Sequence, residues 1–453
     1  MRDPFLTFNN FSLDNRGGRL KINILSGIVL KGASMLLSFV FVPLILSYLT
    51  SYKYGIWLTI NSVVSWFSMM DVGLSGGLRL KLQNALPQKD WLTARKYVSS
   101  TYNLLALISL ACILVFVSIV LFCNVNYASF FKVEDVYNSE IRIVLIMTIS
   151  CFFLRFILQP ISVVLAADQL DFIQSIILLI EQILNLIGIL IISNYTEESL
   201  LYASAVFSFA PLLNLSIFSL CLYKKKYKHI RPQLFKVHKE CISSLFGIGI
   251  DVFITSISMI FIMQFNNILI VEYYSPNEVT IYNILIKLFG ALSSFYILLI
   301  SPLWSAFGNA FSNNDFEWVI RVFRKVSRLF VMFVSAYIVL LFFAPMILKI
   351  WAGLHVDDYF LLSCCCFLFV IQNIESTYAY LFNGTGQIKY VKLQRNMMIY
   401  GAFVNIPLVV LLAGIWEWGL FSVFVANIIA VFPRVLIYSY QGKKLLACMS
   451  CDR

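Results

Sequence analysis

Apolar stretches of about 20 residues recur along the chain, each closed by a cluster of charged residues or of Gly, Pro and Asn. As a helix, such a stretch spans the hydrocarbon core of a bilayer and satisfies its own backbone polar groups. The pattern predicts about twelve crossings, near residues 24–49, 55–78, 103–123, 141–165, 172–193, 199–223, 245–271, 279–303, 326–348, 358–383, 395–415 and 418–440. Residues 1–20 are polar and the first apolar run, Ile24 to Leu49, exceeds the apolar region of a signal peptide, so no cleavable signal is expected.

Composition agrees. Hydrophobic residues make up 60% of the 453 positions and charged residues 13%, against about 45–50% and about 25% in soluble domains. A folded chain of this size has no interior large enough for that excess. A water-soluble enzyme is excluded, and lipid is the solvent for most of the chain.

The net charge of +11 would suggest a nucleic-acid partner in a soluble protein. Here its distribution points elsewhere. Of the 34 Lys and Arg residues, 26 fall in the N-terminal segment, the second, sixth, eighth and tenth loops, and the tail. The opposite side has only Lys53, Lys132, Arg142 and Lys349, and it collects Glu134, Asp135, Glu197, Glu198, Asp357 and Asp358. Positively charged loops stay on the cytoplasmic side, so both termini are expected there. Membrane lipid is the expected surroundings, and no nucleic acid is expected. The 10 Cys residues suggest neither disulfides nor a metal: most lie in or beside apolar stretches, and Cys448-x-x-Cys451 lacks a second ligand pair. No cofactor is expected beyond a coupling H⁺ or Na⁺.

A shift of 225 residues aligns Asn84-Ala85-Leu86 with Asn309-Ala310-Phe311, Asp90-Trp91 with Asp315-Phe316, Lys96 with Arg321, and Ile56-Trp57 with Ile281-Tyr282. Each match occupies the same place in its half. Six crossings per half, an even number, make the repeat parallel. The expected fold is an all-α integral membrane protein of two six-helix bundles, residues 1–225 and 226–453, around a central cavity.

Ionisable side chains inside the crossings are expensive and mark function or pairing. The N-terminal half carries Lys31, Asp71, Arg155 and Glu181, and the C-terminal half Asp251, Lys287, Glu375 and Arg434. Lys31, Asp71, Asp251 and Arg434 lie near the cytoplasmic ends, where snorkelling to the headgroups is an alternative. For the deeper four, ion pairing within a bundle would join Arg155 to Glu181 and Lys287 to Glu375. The functional alternative is a cavity with cations for an anionic substrate and carboxylates for a coupling cation. Polar amides accompany them in the crossings, Asn61, Gln159, Gln264, Asn266, Asn267, Gln372, Asn373, Asn405 and Asn427, and either join helices or meet sugar hydroxyls. Tyr48, Tyr52, Tyr54, Trp57, Tyr273 and Tyr274 read as an aromatic belt at the outer interface.

The residues around the first two crossings add a resemblance. Leu30-Lys31-Gly32, Pro43-Leu44, Tyr48-Leu49, Tyr54-Gly55-Ile56-Trp57-Leu58-Thr59, Trp66-Phe67, Asp71-x-Gly73-Leu74-x-x-Gly77-Leu78-Arg79 and Ala94-Arg95-Lys96-Tyr97 resemble the start of bacterial polysaccharide-repeat exporters. These are the O-antigen and capsule flippases of the Wzx type, in the superfamily that includes multidrug extrusion transporters. The close resemblance covers roughly residues 25–105, and Asn383-Gly384-x-Gly386 adds a weaker match. It implies a V-shaped pair of bundles in the bacterial inner membrane, working by alternating access on an undecaprenyl-diphosphate-linked oligosaccharide. Polysaccharide polymerase and chain-length machinery are further implied partners. On this reading Lys31, Arg155 and Lys287 meet phosphate or acidic sugar, while Asp71, Glu181, Asp251 and Glu375 orient those cations or bind the coupling ion. A cation-coupled drug extruder of the same fold is the alternative. A membrane-embedded glycosyltransferase would need a sizeable catalytic loop, and the longest loops here are about 20 residues by the span criterion.

Overall fold

The structure is a computed structural model that describes residues 16–67, 72–86, 88–122, 126–131, 135–168, 170–233, 236, 238, 240–241 and 265–451. The regular secondary structure among the described residues is helical, with no strand among them. Helices α1 (Arg16–Tyr48), α2 (Ser51–Phe67), α3 (Val72–Ala85), α4 (Trp91–Phe122), α5 (Tyr127–Phe130), α6 (Asn138–Leu158), α7 (Pro160–Ala167), α8 (Asp171–Tyr195) and α9 (Leu200–Lys224) come from the N-terminal half. Helices α10 (Pro276–Ile300), α11 (Leu303–Ser312), α12 (Phe316–Ala352), α13 (Tyr359–Thr385), α14 (Ile388–Val409) and α15 (Phe421–Cys451) follow, with residues 265–273 also helical.

Among the described residues, ten helices are long and apolar enough to cross a membrane. The second expected crossing is divided between α2 and α3, on either side of residues that are not described. The seventh falls largely outside the described residues. The chain is thus a multi-pass membrane protein of the expected all-α class. Its lipid face is legible on α12, where Ile338, Phe342, Met346 and Ile350 are exposed at intervals of four residues. In water that stripe would be an aggregation surface; in a bilayer it is the solvated face. Pro407 has no N–H for the helical ladder, and directly after it Val410–Ile415 relaxes into a π-helical turn.

The repeated polar motif encodes a helix stop followed by a helix start. Lys89 and Asn314, 225 residues apart, both adopt the left-handed conformation (φ 57° and 55°). The amide of Asp90 donates to the Ala85 carbonyl (3.1 Å), and that of Asp315 to the Ala310 carbonyl (2.9 Å). This pattern ends a helix by satisfying its last carbonyls. Each Asp then caps the next helix: Asp90 Oδ1 accepts from the Thr93 amide, and Asp315 Oδ1 from the Trp318 amide, both at 3.1 Å. Hydrogen bonds from the Thr93 hydroxyl and amide hold the Asp90 carboxyl below its ordinary range. A lowered folded-state pKa stabilises above the unfolded carboxylate range and loses that contribution as pH falls through the folded value. Asp315→Ala is expected to cost about 1 kcal/mol. Acidification should lower the melting temperature of wild type more than that of Asp90→Asn; thermal unfolding in detergent checks both, and identical pH profiles would contradict the second.

A second pair of equivalent contacts corrects the aromatic-belt expectation. Tyr48 is buried, its hydroxyl 2.9 Å from Thr196 Oγ1 and donating to the Glu197 carbonyl (3.1 Å). Tyr274 donates to the Gly419 carbonyl (2.8 Å). Each tyrosine ties the loop before its half's last helix to the end of its half's first crossing. Tyr54 is also buried, stacked on Trp57. Tyr48 and Tyr54 are thus internal struts and not part of a lipid-facing belt.

The two halves share one core at one end and keep separate cores at the other. Val42, Ile56, Ile60 and Ile141 from the N-terminal half pack in the same cluster as Val279, Leu285, Phe289 and Leu348 from the C-terminal half. Toward the basic loops, Leu78, Leu82, Val98 and Tyr223 form a core within the N-terminal half. Phe307, Val319 and Leu381 do the same within the C-terminal half. The seam is made mainly by α2 on α10 and by α1 on α12.

Candidate functional site

Contacts between three pairs of helical segments close the seam at the end away from the basic loops. Thr280 Oγ1 donates to the Ser51 carbonyl (2.6 Å), and Trp351 Nε1 to the Phe39 carbonyl (2.8 Å). Asn267 Nδ2 donates to Ser62 Oγ (2.7 Å) and its Oδ1 accepts from Asn283 Nδ2 (2.9 Å). At Gly55 the α2 backbone lies directly on the Pro276 carbonyl, leaving no room for a Cβ. Glycine permits such an approach where a larger residue would hold the helices apart.

The ionisable residues divide around this seam. Arg155 on α6 pairs with Glu181 on α8, Nη2 to Oε2 at 2.7 Å, as one of the sequence alternatives had it. The Arg155 side chain remains 33% exposed and Glu181 14%, so the pair stands at an edge of the N-terminal half. The other expected pair does not form. Glu375 on α13 meets Arg434 on α15, Oε1 to Nε at 3.1 Å, and not Lys287. Snorkelling of Arg434 is likewise overturned: the residue is buried, and its guanidinium also contacts Met398 Sδ. The α15 helix runs on to Cys451, well past the residue 440 where hydropathy ends the crossing, so Arg434 lies at mid-helix.

With Glu375 engaged by Arg434, Lys287 on α10 has no carboxylate partner among the described residues. It is half-buried, with Nζ 6.0 Å from the centroid of the Phe41 ring on α1. That places a cation from one half over an aromatic face of the other, at the outer limit of a cation–π contact. Lys31, also on α1, is exposed. Asp71 and Asp251 lie outside the described residues.

The amides mostly join helices. Asn373 on α13 accepts from Ser293 on α10 (2.6 Å) and donates to Tyr337 on α12 (3.2 Å). Asn267, Asn373, Asn405 and Asn427 are all buried, so none offers an open face to a sugar in this arrangement. The buried seam amide Asn267 and its hydroxyl partner Ser62 carry no charge and follow no motif. Only the packing of α2 against residues 265–273 reveals their role.

Comparison with known proteins agrees with this architecture. The family model described as "Polysaccharide biosynthesis protein" matches residues 20–306. A putative O-antigen export protein of Yersinia pseudotuberculosis is 22% identical over 396 residues, covering 85% of each chain. Among solved structures, an inward-facing multidrug resistance MATE family transporter of the MOP superfamily superposes with a TM-score of 0.68 at 14% identity, covering 95% of this chain and 98% of that one. An outward-facing MATE family transporter gives 0.55 at 13% identity, with 96% of each covered. A MOP superfamily transporter from Pyrococcus furiosus Vc1, described by a reversed polarity of its binding pocket, gives 0.57 at 12% identity, with 95% of each covered. At these identities the structures establish the fold, and the family match establishes kinship: the chain belongs to the polysaccharide biosynthesis protein family.

Proposed function

We propose that this chain is a flippase for undecaprenyl-diphosphate-linked oligosaccharide repeat units, carrying them from the cytoplasmic to the outer leaflet of the bacterial inner membrane. Two six-helix bundles, residues 1–225 and 226–453, alternate access to the site between them, with both termini in the cytoplasm. The carrying observation is Lys287, a half-buried cation without a carboxylate partner among the described residues, facing Phe41 across the two halves. A diphosphate cannot cross about 30 Å of hydrocarbon uncompensated. Amines and guanidiniums that face a watery pathway supply the compensation. Arg155, part-exposed and oriented by Glu181, and exposed Lys31 extend the same chemistry in the N-terminal half, while the lipid tail stays in the bilayer. Separate cores toward the basic loops support an opening on that side, where lipid-linked sugars are made.

A drug extruder of this fold would present carboxylates to a cationic substrate. Glu181 and Glu375 are both held by arginines, which favours the anionic cargo. Export is tested by complementation of a flippase-null strain at matched protein level. Arg155→Ala and Lys287→Ala are each expected to lower surface polysaccharide by about tenfold or more, the loss of one charge-assisted contact, with Lys287→Arg retaining part. Full export by both alanine variants would overturn the assignment.

A further inference from the structure

Two motifs of the sequence border one cavity. Asn383-Gly384-x-Gly386 and the turn from Phe311 to Phe316 line a space of about 650 Å³ toward the basic loops of the C-terminal half, together with Leu445, Cys448 and Met449 of α15. Gly384 lets α13 lie against α11, since a Cβ there would overlap that of Phe307. Gly386, at φ 65°, ends α13, its amide donating to the Asn383 carbonyl (3.3 Å). The second motif turns at Asn314, also left-handed, and sets Phe311 and Phe316 edge to face with centroids 6.1 Å apart. The fold does not require this space. In the N-terminal half the matching turn starts at Leu86, 225 residues earlier, and Leu86 packs on a core that includes buried Tyr227 and Ile230. Tyr227 Oη donates to Asp168 Oδ2 (2.8 Å), which also pairs with Lys226 Nζ (2.7 Å). There the chain seals the place with its own side chains; in the C-terminal half it stays open.

The lining selects a ligand. Among the described residues it holds no charged side chain, so a phosphate or carboxylate would be buried there without a counter-ion. A purely apolar ligand would instead strand the amides of Asn314, Asn383 and Gln387. Asn383 Oδ1 accepts from Gln394 Nε2 (3.0 Å), which leaves its NH₂ as the remaining donor, while Asn314 and Gln387 each carry a donor and an acceptor. The two phenylalanines supply flat apolar faces. A neutral sugar ring has the matching combination, C–H groups on its faces and hydroxyls around its rim. The volume lies within the range of small-molecule sites.

We propose that this cavity binds a neutral sugar ring. Its source is either the head of a lipid-linked oligosaccharide, which rests on the flippase reading, or a free saccharide, which does not. Cys448 is exposed and lines the cavity, so its alkylation by N-ethylmaleimide, followed by peptide mass spectrometry on the purified full-length protein, reports occupancy. The free probes are glucose, galactose and N-acetylglucosamine, with glucuronate as the charged control. The lipid probes are the lipid-linked oligosaccharide accumulated by a flippase-null strain and, as control, undecaprenyl diphosphate. A neutral sugar, free or lipid-linked, should slow alkylation of Cys448 about tenfold at about ten times its dissociation constant. Glucuronate and undecaprenyl diphosphate should leave the rate unchanged, and Cys221, exposed on α9 of the other half, should respond to none of them. Gln387→Leu and Asn314→Gly, both at exposed positions, should each weaken protection by about tenfold through loss of one hydrogen-bonding group. Neither should lower the melting temperature, since glycine takes the left-handed turn at least as readily as asparagine. Protection by free sugars assigns the free source, and protection by the lipid-linked probe alone assigns the membrane one. No protection by any neutral probe, equal protection by the controls, or variants protected like wild type would overturn the site. Sugar protection without restored export would overturn the flippase reading alone, and export without protection the sugar site alone.

Discussion

Replacing Gly55 with leucine is expected to part the two halves at their shared core and abolish export. A Cβ at this position would overlap the Pro276 carbonyl. That carbonyl belongs to the first turn of α10, which is held by the Ser275 cap, so the obstacle is backbone and not a side chain that swings aside. Even alanine therefore forces α2 and α10 apart, at about 1–3 kcal/mol for overpacking, and leucine does so by more. The separation also breaks the Thr280–Ser51 and Asn267–Ser62 hydrogen bonds along the same seam. The measurement is the rate of disulfide formation between cysteines placed at Ser51 and Thr280, read with and without Gly55→Leu, alongside export. Gly27→Leu is the control, since a Cβ on Gly27 meets nothing within 4 Å. Cross-linking and export that persist unchanged in Gly55→Leu would refute the seam as a close-packed closure.

Removing either member of the Glu375–Arg434 pair is expected to destabilise the protein by about 3–5 kcal/mol, because the survivor is a buried charge without its partner. The Arg434 side chain is 6% exposed and Glu375 15%, so water cannot take over the lost contact. Arg434→Leu and Glu375→Leu should both lower the melting temperature and yield sharply. The double variant Glu375→Leu/Arg434→Met should recover most of the loss, since apolar replacement of a buried pair is nearly neutral. The Arg155–Glu181 pair should behave differently. With the guanidinium 33% exposed, solvent screens it and the stability cost is smaller, while the effect on export is the larger one. Singles and double that melt together with wild type would show that the C-terminal pair carries no structural load.

The depth of an ionisable residue is legible in a hydropathy pattern; its neighbour is not. Arg155 and Glu181 lie on consecutive crossings whose helices, α6 and α8, both pack on α9. Lys287 and Glu375 are not level: Asn373 and Thr377 face Ser293 and Tyr296, about two turns further along α10 than Lys287, while α13 packs most extensively on α15, where Glu375 turns to Arg434. Arg434 shows the same: it lies within about two turns of Tyr440, where the apolar residues stop, yet its side chain is buried against Glu375 and does not snorkel. The tyrosines misled for a related reason. A ring with one polar end suits both an interface and a strut, and only the loop carbonyls within reach decide between them.

The sequence by itself determined the all-α membrane class, the approximate number of crossings, and the twofold repetition of a helix-stop and helix-start turn. These follow from local physics: a backbone in hydrocarbon must bond to itself, and a left-handed residue followed by Asp ends one helix and caps the next. The tertiary structure alone decided which charges are neutralised and which remain open, and that Gly55 is a contact between halves. Those depend on which helix faces meet, and in a chain apolar on nearly every face no periodicity records that choice.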